Sequence, residues 1–217
     1  MWKQIPRYRP YIYSTDEVRL LLAHADELVP AFRALTFRTM ISILYCTGIR
    51  PGEALRLQLR DVDLQAKTLL VRKSKGKTRW VPFHAQLARC IRRYVAERKT
   101  IGLALPKSPL FTQPNGRSYA DITVCHTGRE LLRKSGLKPA RGRLGPRLYD
   151  LRHAHATHVL LRWHKEGRDL HAMLPLLSAY MGHDHLLGTQ VYLTGTPELL
   201  ELASRRFEDR FHTRRVR

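Results

Sequence analysis

The sequence predicts a mainly α-helical protein with one small antiparallel three-stranded β-sheet, an α+β fold. Three observations carry that expectation. Apolar residues recur at helical spacing through most of the chain, strand composition is confined to residues 61–83, and Gly, Pro and capping residues punctuate the intervals.

Ser14 followed three residues later by Glu17 makes a capping box ahead of the run VRLLLAH, so the chain begins helical. Pro30 opens a second helical run that Gly48 can terminate, because glycine adopts the left-handed conformation that ends helices without strain. Between 61 and 83 the texture changes: LLVR has a strand's composition, KSKGK is a turn containing Gly76, and RWVPF is the returning strand. Helical texture returns over 84–99, 120–135, 149–164 and 171–181, interrupted by PNGR, by the Gly/Pro/Arg-rich loop 138–147, and by EGRD. Thr196 as cap and Pro197 at the first helical position start a last amphipathic helix, 197–207, before the basic end HTRRVR.

The 217 residues suffice for a real core, as one large domain or two small ones. Against 18 Asp and Glu stand 39 Lys and Arg, a formal charge of +21 that favours a polyanion through counterion release. A hydrophobic content of 43% argues for a folded globule and against a disordered basic arm. No apolar run reaches the roughly 18 residues of a membrane span, and residues 1–10 have no apolar signal-peptide core, so a soluble intracellular protein is expected. Cys46, Cys90 and Cys125 are odd in number and never paired as CxxC; reduced, buried, inert thiols are expected.

In TGIRPGEALRL, Arg50 lies just after a helix stop and just before a helix start, where a guanidinium can be held rigidly for bidentate contact with a phosphate. YDLRHAHATH places Arg152 in the first turn of another helix. Two such arginines converging on one phosphate would neutralise its non-bridging oxygens as charge builds in the transition state. In MGHDHLLGTQVY, His183 follows a helix-ending Gly182 and Tyr192 comes nine residues later, a phenol able to serve as nucleophile once its proton is removed. A lone tyrosine there is more often core packing, and the charges of KPARGRLGPR, with Arg141, Arg143 and Arg147, would serve a phosphate backbone or simply solvate the loop. His153, His155 and His158 lack the HExxH pattern of a zinc site, and helix packing is the better reading.

TGIRPGE, the lysine-bearing hairpin, DLRH, MGH and the tyrosine nine residues later occur in the order and spacing of the tyrosine recombinase (phage integrase) family, which this chain resembles over nearly its whole length. The resemblance implies that family's catalytic-domain fold over 1–217, with its core at about 12–208 and the usual N-terminal core-binding domain absent. It makes Arg50 and Arg152 the phosphate clamp, His183 the donor to a non-bridging oxygen, and Tyr192 the nucleophile that forms a 3′-phosphotyrosine. Glu53 matches the acidic residue that supports the first arginine, and Lys75 the hairpin lysine that protonates the leaving 5′ oxygen. Counting back from Val81 and Pro82 puts the usual lysine position at Ser74, so the turn is one residue shorter, with Lys73 and Lys77 close by in sequence. Lys73, Lys77 and Arg79 are expected on DNA.

A second departure is Tyr149, where the family usually has a histidine three residues before the second arginine. A phenol donates a hydrogen bond but is a poor base near neutral pH, so a cost of roughly tenfold to thousandfold in rate is expected. LLRW, LPLLSAYMGH and YLTGTPELLELA look most like the transposon-associated branch. The resemblance further implies double-stranded DNA as substrate, no cofactor or metal, a bacterial cytoplasmic setting, and a tetramer on DNA, either of this chain alone or of this chain with a co-encoded recombinase, with 197–207 docking on a neighbour. An inactive DNA-binding remnant, a type IB topoisomerase-like enzyme and a helical RNA-binding protein are the competing readings.

Overall fold

A computed structural model describes residues 10–74, 77–142 and 144–182, without the side chains of residues 73 and 74. Lys75, Arg143, His183, Tyr192, the helix expected at 197–207 and the side chain of Lys73 lie outside the described residues.

The elements run α1 (Thr15–Asp26), α2 (Ala31–Thr47), α3 (Pro51–Arg56), a 3-10 turn (Leu59–Asp61), β1 (Val62–Asp63), β2 (Thr68–Ser74), β3 (Lys77–Pro82), α4 (Ala85–Thr100), α5 (Asp121–Lys134), α6 (Asp150–Lys165) and α7 (Leu170–Met181). The described residues divide into two compact units, one of residues 10–155 and the other of 156–182.

In the first unit α2 is the central helix, packed by α1, α3 and α4. Phe37, Met40, Ile41, Ile43 and Leu44 are buried along it, together with Thr36, Thr39 and Thr47. Those hydroxyls satisfy themselves on the helix, donating to the carbonyls of Phe32, Leu35 and Ile43 four residues back, so buried polarity costs little. The capping box at α1 forms as the sequence predicts: the Glu17 N–H donates to Ser14 Oγ at 3.2 Å and the Ser14 N–H to Glu17 Oε2 at 2.7 Å. At the other end of α2, Gly48 closes the helix with φ +63°.

The sheet is antiparallel in the order β1-β2-β3. Leu69 pairs with Val81 and Val71 with Arg79, while Leu70 pairs with Trp80. Since side chains alternate between faces, Leu69, Val71, Val81 and Arg79 share one side of the sheet, and the buried valines and leucine show that this side faces the core. Trp80 faces away, 60% exposed.

Arg98 of α4 is a core residue. It donates to the carbonyls of Leu103, Pro109 and Leu110 and to Ser108 Oγ, thereby fastening the connection that follows α4. In the second unit, α7 starts at the Asp169 cap, and Ala156, Leu160, Leu174, Leu177 and Met181 form a small core.

Candidate active site

The predicted clamp arginines, 102 positions apart in sequence, are brought to the same place. Arg50 caps α3 with extended backbone, φ −71° and ψ 146°. Gly48, two residues earlier, presents its carbonyl to Arg152, whose Nη1 donates to it at 2.6 Å from a fully buried position. One helical turn further along α6, His155 Nδ1 lies 2.9 Å from the Tyr45 carbonyl. The last turn of α2 and the turn that carries Arg50 are therefore each pinned onto the first turns of α6. Gly48 is required there twice over: its φ is positive, and a Cβ would lie 2.6 Å from His155 Cδ2.

Glu53 completes this side. Its carboxylate is fully buried and accepts the Arg50 backbone N–H at 2.8 Å and Arg50 Nη1 at 3.0 Å. It also accepts Arg79 Nη1 and Nη2 at 3.1 and 3.0 Å, a fork from β3. Arg79, expected on DNA, thus has its guanidinium on Glu53, with its side chain 11% exposed.

The start of α6 repeats the device. Buried Asp150 accepts the Arg147 N–H at 2.9 Å and Arg147 Nη2 at 3.2 Å, while Tyr13 Oη donates to the Arg147 carbonyl at 3.0 Å. The Arg147 guanidinium sits 5.8 Å over the ring of Tyr149, and that ring lies 5.5 Å from His153. Tyr149 is 38% exposed. Burial, with Arg152 and Arg147 close by, holds the His153 imidazole below its ordinary value of 6.5; Asp150 opposes the shift.

Arg50, Arg147 and Tyr149 line one groove of about 1040 Å³ bounded by α3, α5 and the 138–149 segment. The same groove holds two basic residues that sequence patterning missed, Arg56 and Arg129, together with Lys138, the first residue of the loop KPARGRLGPR. Lys138 is buried and donates to the carbonyls of Leu144, Gly145 and Pro146, which gives the loop its shape. Burial, and then the nearby Arg129 and Arg133, lower its pKa. Gly128 admits Leu148, because a Cβ there would lie 2.4 Å from Leu148 Cδ1.

Arg141 and Lys77 are exposed. The cysteines depart from expectation: Cys46 and Cys90 are half-buried and Cys125 is exposed in the groove, because its position on α5 faces outward. Burial pushes the Cys46 thiol up to about 11. No helix among the described residues is long and apolar enough to cross a membrane.

The chain matches the model of the phage integrase family over residues 12–198. It is 40% identical over 215 residues to y4rB of Sinorhizobium fredii strain NBRC 101917 / NGR234, named as an integrase/recombinase, covering 96% of this chain and 68% of that protein. The crystal structure of XerA recombinase matches with a TM-score of 0.73 at 25% identity, covering 93% of this chain and 66% of that one. That of XerH site-specific recombinase bound to palindromic difH substrate, a post-cleavage complex, matches with a TM-score of 0.72 at 21% identity, covering 95% and 56%. This chain spans about two thirds of the first two and little more than half of the third.

Helices around a small antiparallel three-stranded sheet, in the arrangement shared with XerA recombinase, make this the tyrosine recombinase catalytic-domain fold. The chain belongs to the phage integrase family, and its class of enzyme is the tyrosine-type site-specific DNA recombinase.

Proposed function

We propose that this chain cleaves and rejoins double-stranded DNA through a 3′-phosphotyrosine on Tyr192. The observation that carries the reading is the tether from Arg152 to the Gly48 carbonyl, which sets a second arginine beside the turn that presents Arg50. Fixed donors aimed at one phosphate stabilise charge that develops only in the transition state, and they need no reorganisation when it does.

In this mechanism Arg50 and Arg152 hold the non-bridging oxygens, with His183 and the phenol of Tyr149 as further donors. Tyr192 gives up its phenolic proton to solvent as its oxygen bonds to phosphorus, the bond from phosphorus to the 5′ oxygen breaks, and Lys75 supplies the proton that the leaving oxygen takes up. The linkage retains the energy of the broken ester, so a 5′ hydroxyl from another strand can reverse the step. Arg56, Arg129 and Arg147 in the groove, with Lys73, Lys77, Arg141 and Arg143, follow the DNA backbone, and XerH bound to difH is the structural precedent for DNA on this fold. Full exchange joins two duplexes and calls for four protomers, of this chain or with a co-encoded recombinase. Movement of a transposon or other mobile element, in the cytoplasm, is the setting.

Covalent trapping tests this. The protein and a Tyr192→Phe control are incubated with nicked suicide duplexes covering candidate element ends and run on a denaturing gel. An adduct that the control lacks is the expected result. No adduct, even with a neighbouring recombinase added, would replace the reading with that of a DNA-binding protein without cleavage activity.

A further inference from the structure

We propose that Arg79 is a positioning residue for Arg50 and not a DNA contact; the inference rests on reading Arg50 as half of the phosphate clamp. Arg79 is on β3, opposite Val71 and on the core side of the sheet, whereas its neighbour Trp80 faces away. That parity sends the guanidinium inward, to Glu53.

The two arginines divide the carboxylate evenly. Oε1 accepts Arg50 Nη1 at 3.0 Å and Arg79 Nη1 at 3.1 Å. Oε2 accepts the Arg50 backbone N–H at 2.8 Å and Arg79 Nη2 at 3.0 Å. Two consequences follow from electrostatics. A buried carboxylate with one cation beside it would neutralise that cation, and Arg50 would face a phosphate with its charge already answered. With Arg79 included, two guanidinium groups share one carboxylate and the triad keeps a net charge of about +1 for the phosphate. The second consequence is geometric. Arg79 takes one position on each carboxylate oxygen, so toward Glu53 Arg50 contributes one Nη and its backbone N–H, and 19% of its side chain is exposed where it lines the groove. Only a planar fork reaches both oxygens at once, so lysine would supply the charge without the geometry.

The test uses Arg79→Met and Arg79→Lys in the full chain, with three readouts. These are single-turnover adduct formation on a nicked duplex at saturating protein, the salt dependence of duplex affinity, and the 15N heteronuclear NOE of the Arg50 Nε–H in the free protein, assigned with Arg50→Lys. Arg79→Met is expected to slow adduct formation by about 10- to 100-fold, the order of a lost transition-state donor. Arg79→Lys should slow it less, both with an unchanged salt slope, and the Arg50 NOE should fall in both. A salt slope reduced by about one would make Arg79 a phosphate contact and overturn the proposal. So would an unchanged cleavage rate in folded Arg79→Met, which would leave it a purely structural role. Should Arg79→Met fail to fold, Arg79→Lys decides by the same criteria. If the wild-type chain forms no adduct, the function reading fails separately, and the Arg50 NOE still decides: an unchanged value in either variant defeats the positioning role.

Discussion

Arg50-Pro-Gly-Glu53 at the start of α3 and Arg147-Leu-Tyr-Asp150 at the start of α6 are built on the same plan. In each, a buried carboxylate accepts the backbone N–H and a guanidinium N–H of the arginine three residues before it. The surroundings differ. Glu53 is shared with Arg79, and the arginine it holds is 19% exposed; Arg147 is 50% exposed, lies over Tyr149 and continues into a loop shaped by Lys138. The α3 start is therefore locked from the sheet side, while the α6 start keeps water on its cation and leaves its aromatic residue open. A phosphate that must be held identically in every turnover suits the first construction. Contact with a duplex whose groove and backbone must be accommodated suits the second.

Removing the carboxylates is the most severe way to break the comparison. Glu53→Ala strips the charge that two poorly solvated arginines face and should cost about 3–5 kcal/mol of stability. Asp150→Ala should cost about 1–2 kcal/mol, mainly the lost cap, because Arg147 retains solvent. Urea unfolding of both variants measures the gap, and equal losses would show that the two starts are equivalent after all.

Gly128→Ala probes the looser start from behind. The added methyl meets Leu148 Cδ1 at 2.4 Å, so a cost of about 1–3 kcal/mol is expected, with Leu148 and its neighbour Tyr149 displaced. Thermal melts and adduct yield should fall together; a melt like wild type would mean that Leu148 relocates freely.

Tyr149→His sharpens the functional side of the contrast. An imidazole at that position can exchange a proton near neutral pH where a phenol cannot, so single-turnover adduct formation should rise by roughly tenfold. An unchanged rate would mean that the phenol already supplies all that the position contributes.

The smallest expected effect is a pH dependence. His153 has a folded pKa below 6.5, so as pH falls through 6.5 the unfolded chain binds protons first. Its contribution to stability is complete above that value and declines on acidification until the folded pKa is passed. Urea midpoints measured from pH 7 to pH 5 should fall less steeply in His153→Gln; parallel profiles would remove His153 as a cause.

Much of this was legible in the sequence because it is local. The Ser14 box, the Gly48 stop and the paired strands within 61–83 each depend on residues close by in sequence, and all of them form, while Gly76 of the expected turn lies outside the described residues. The helices at 84–99, 120–135 and 149–164 were expected one residue early, since His84, Ala120 and Tyr149 stand just outside α4, α5 and α6 as flanking residues. The repeat of an arginine with a carboxylate three residues later was readable too, at Arg147 and Asp150, but a charged loop gave no sign that this carboxylate would be buried.

The sequence by itself determined the order of elements and the placing of Arg50 and Arg152 at helix starts, because caps, stops and motif spacing act through the covalent chain. The tertiary structure decided what each arginine faces. Arg79 and Arg98 carry the same group as Arg50, yet one folds onto Glu53 from 26 residues away and the other into a nest of carbonyls. Strand parity, the register set across β2 and β3, and the need of every buried ion for a partner select those contacts, and each arises only when distant segments pack.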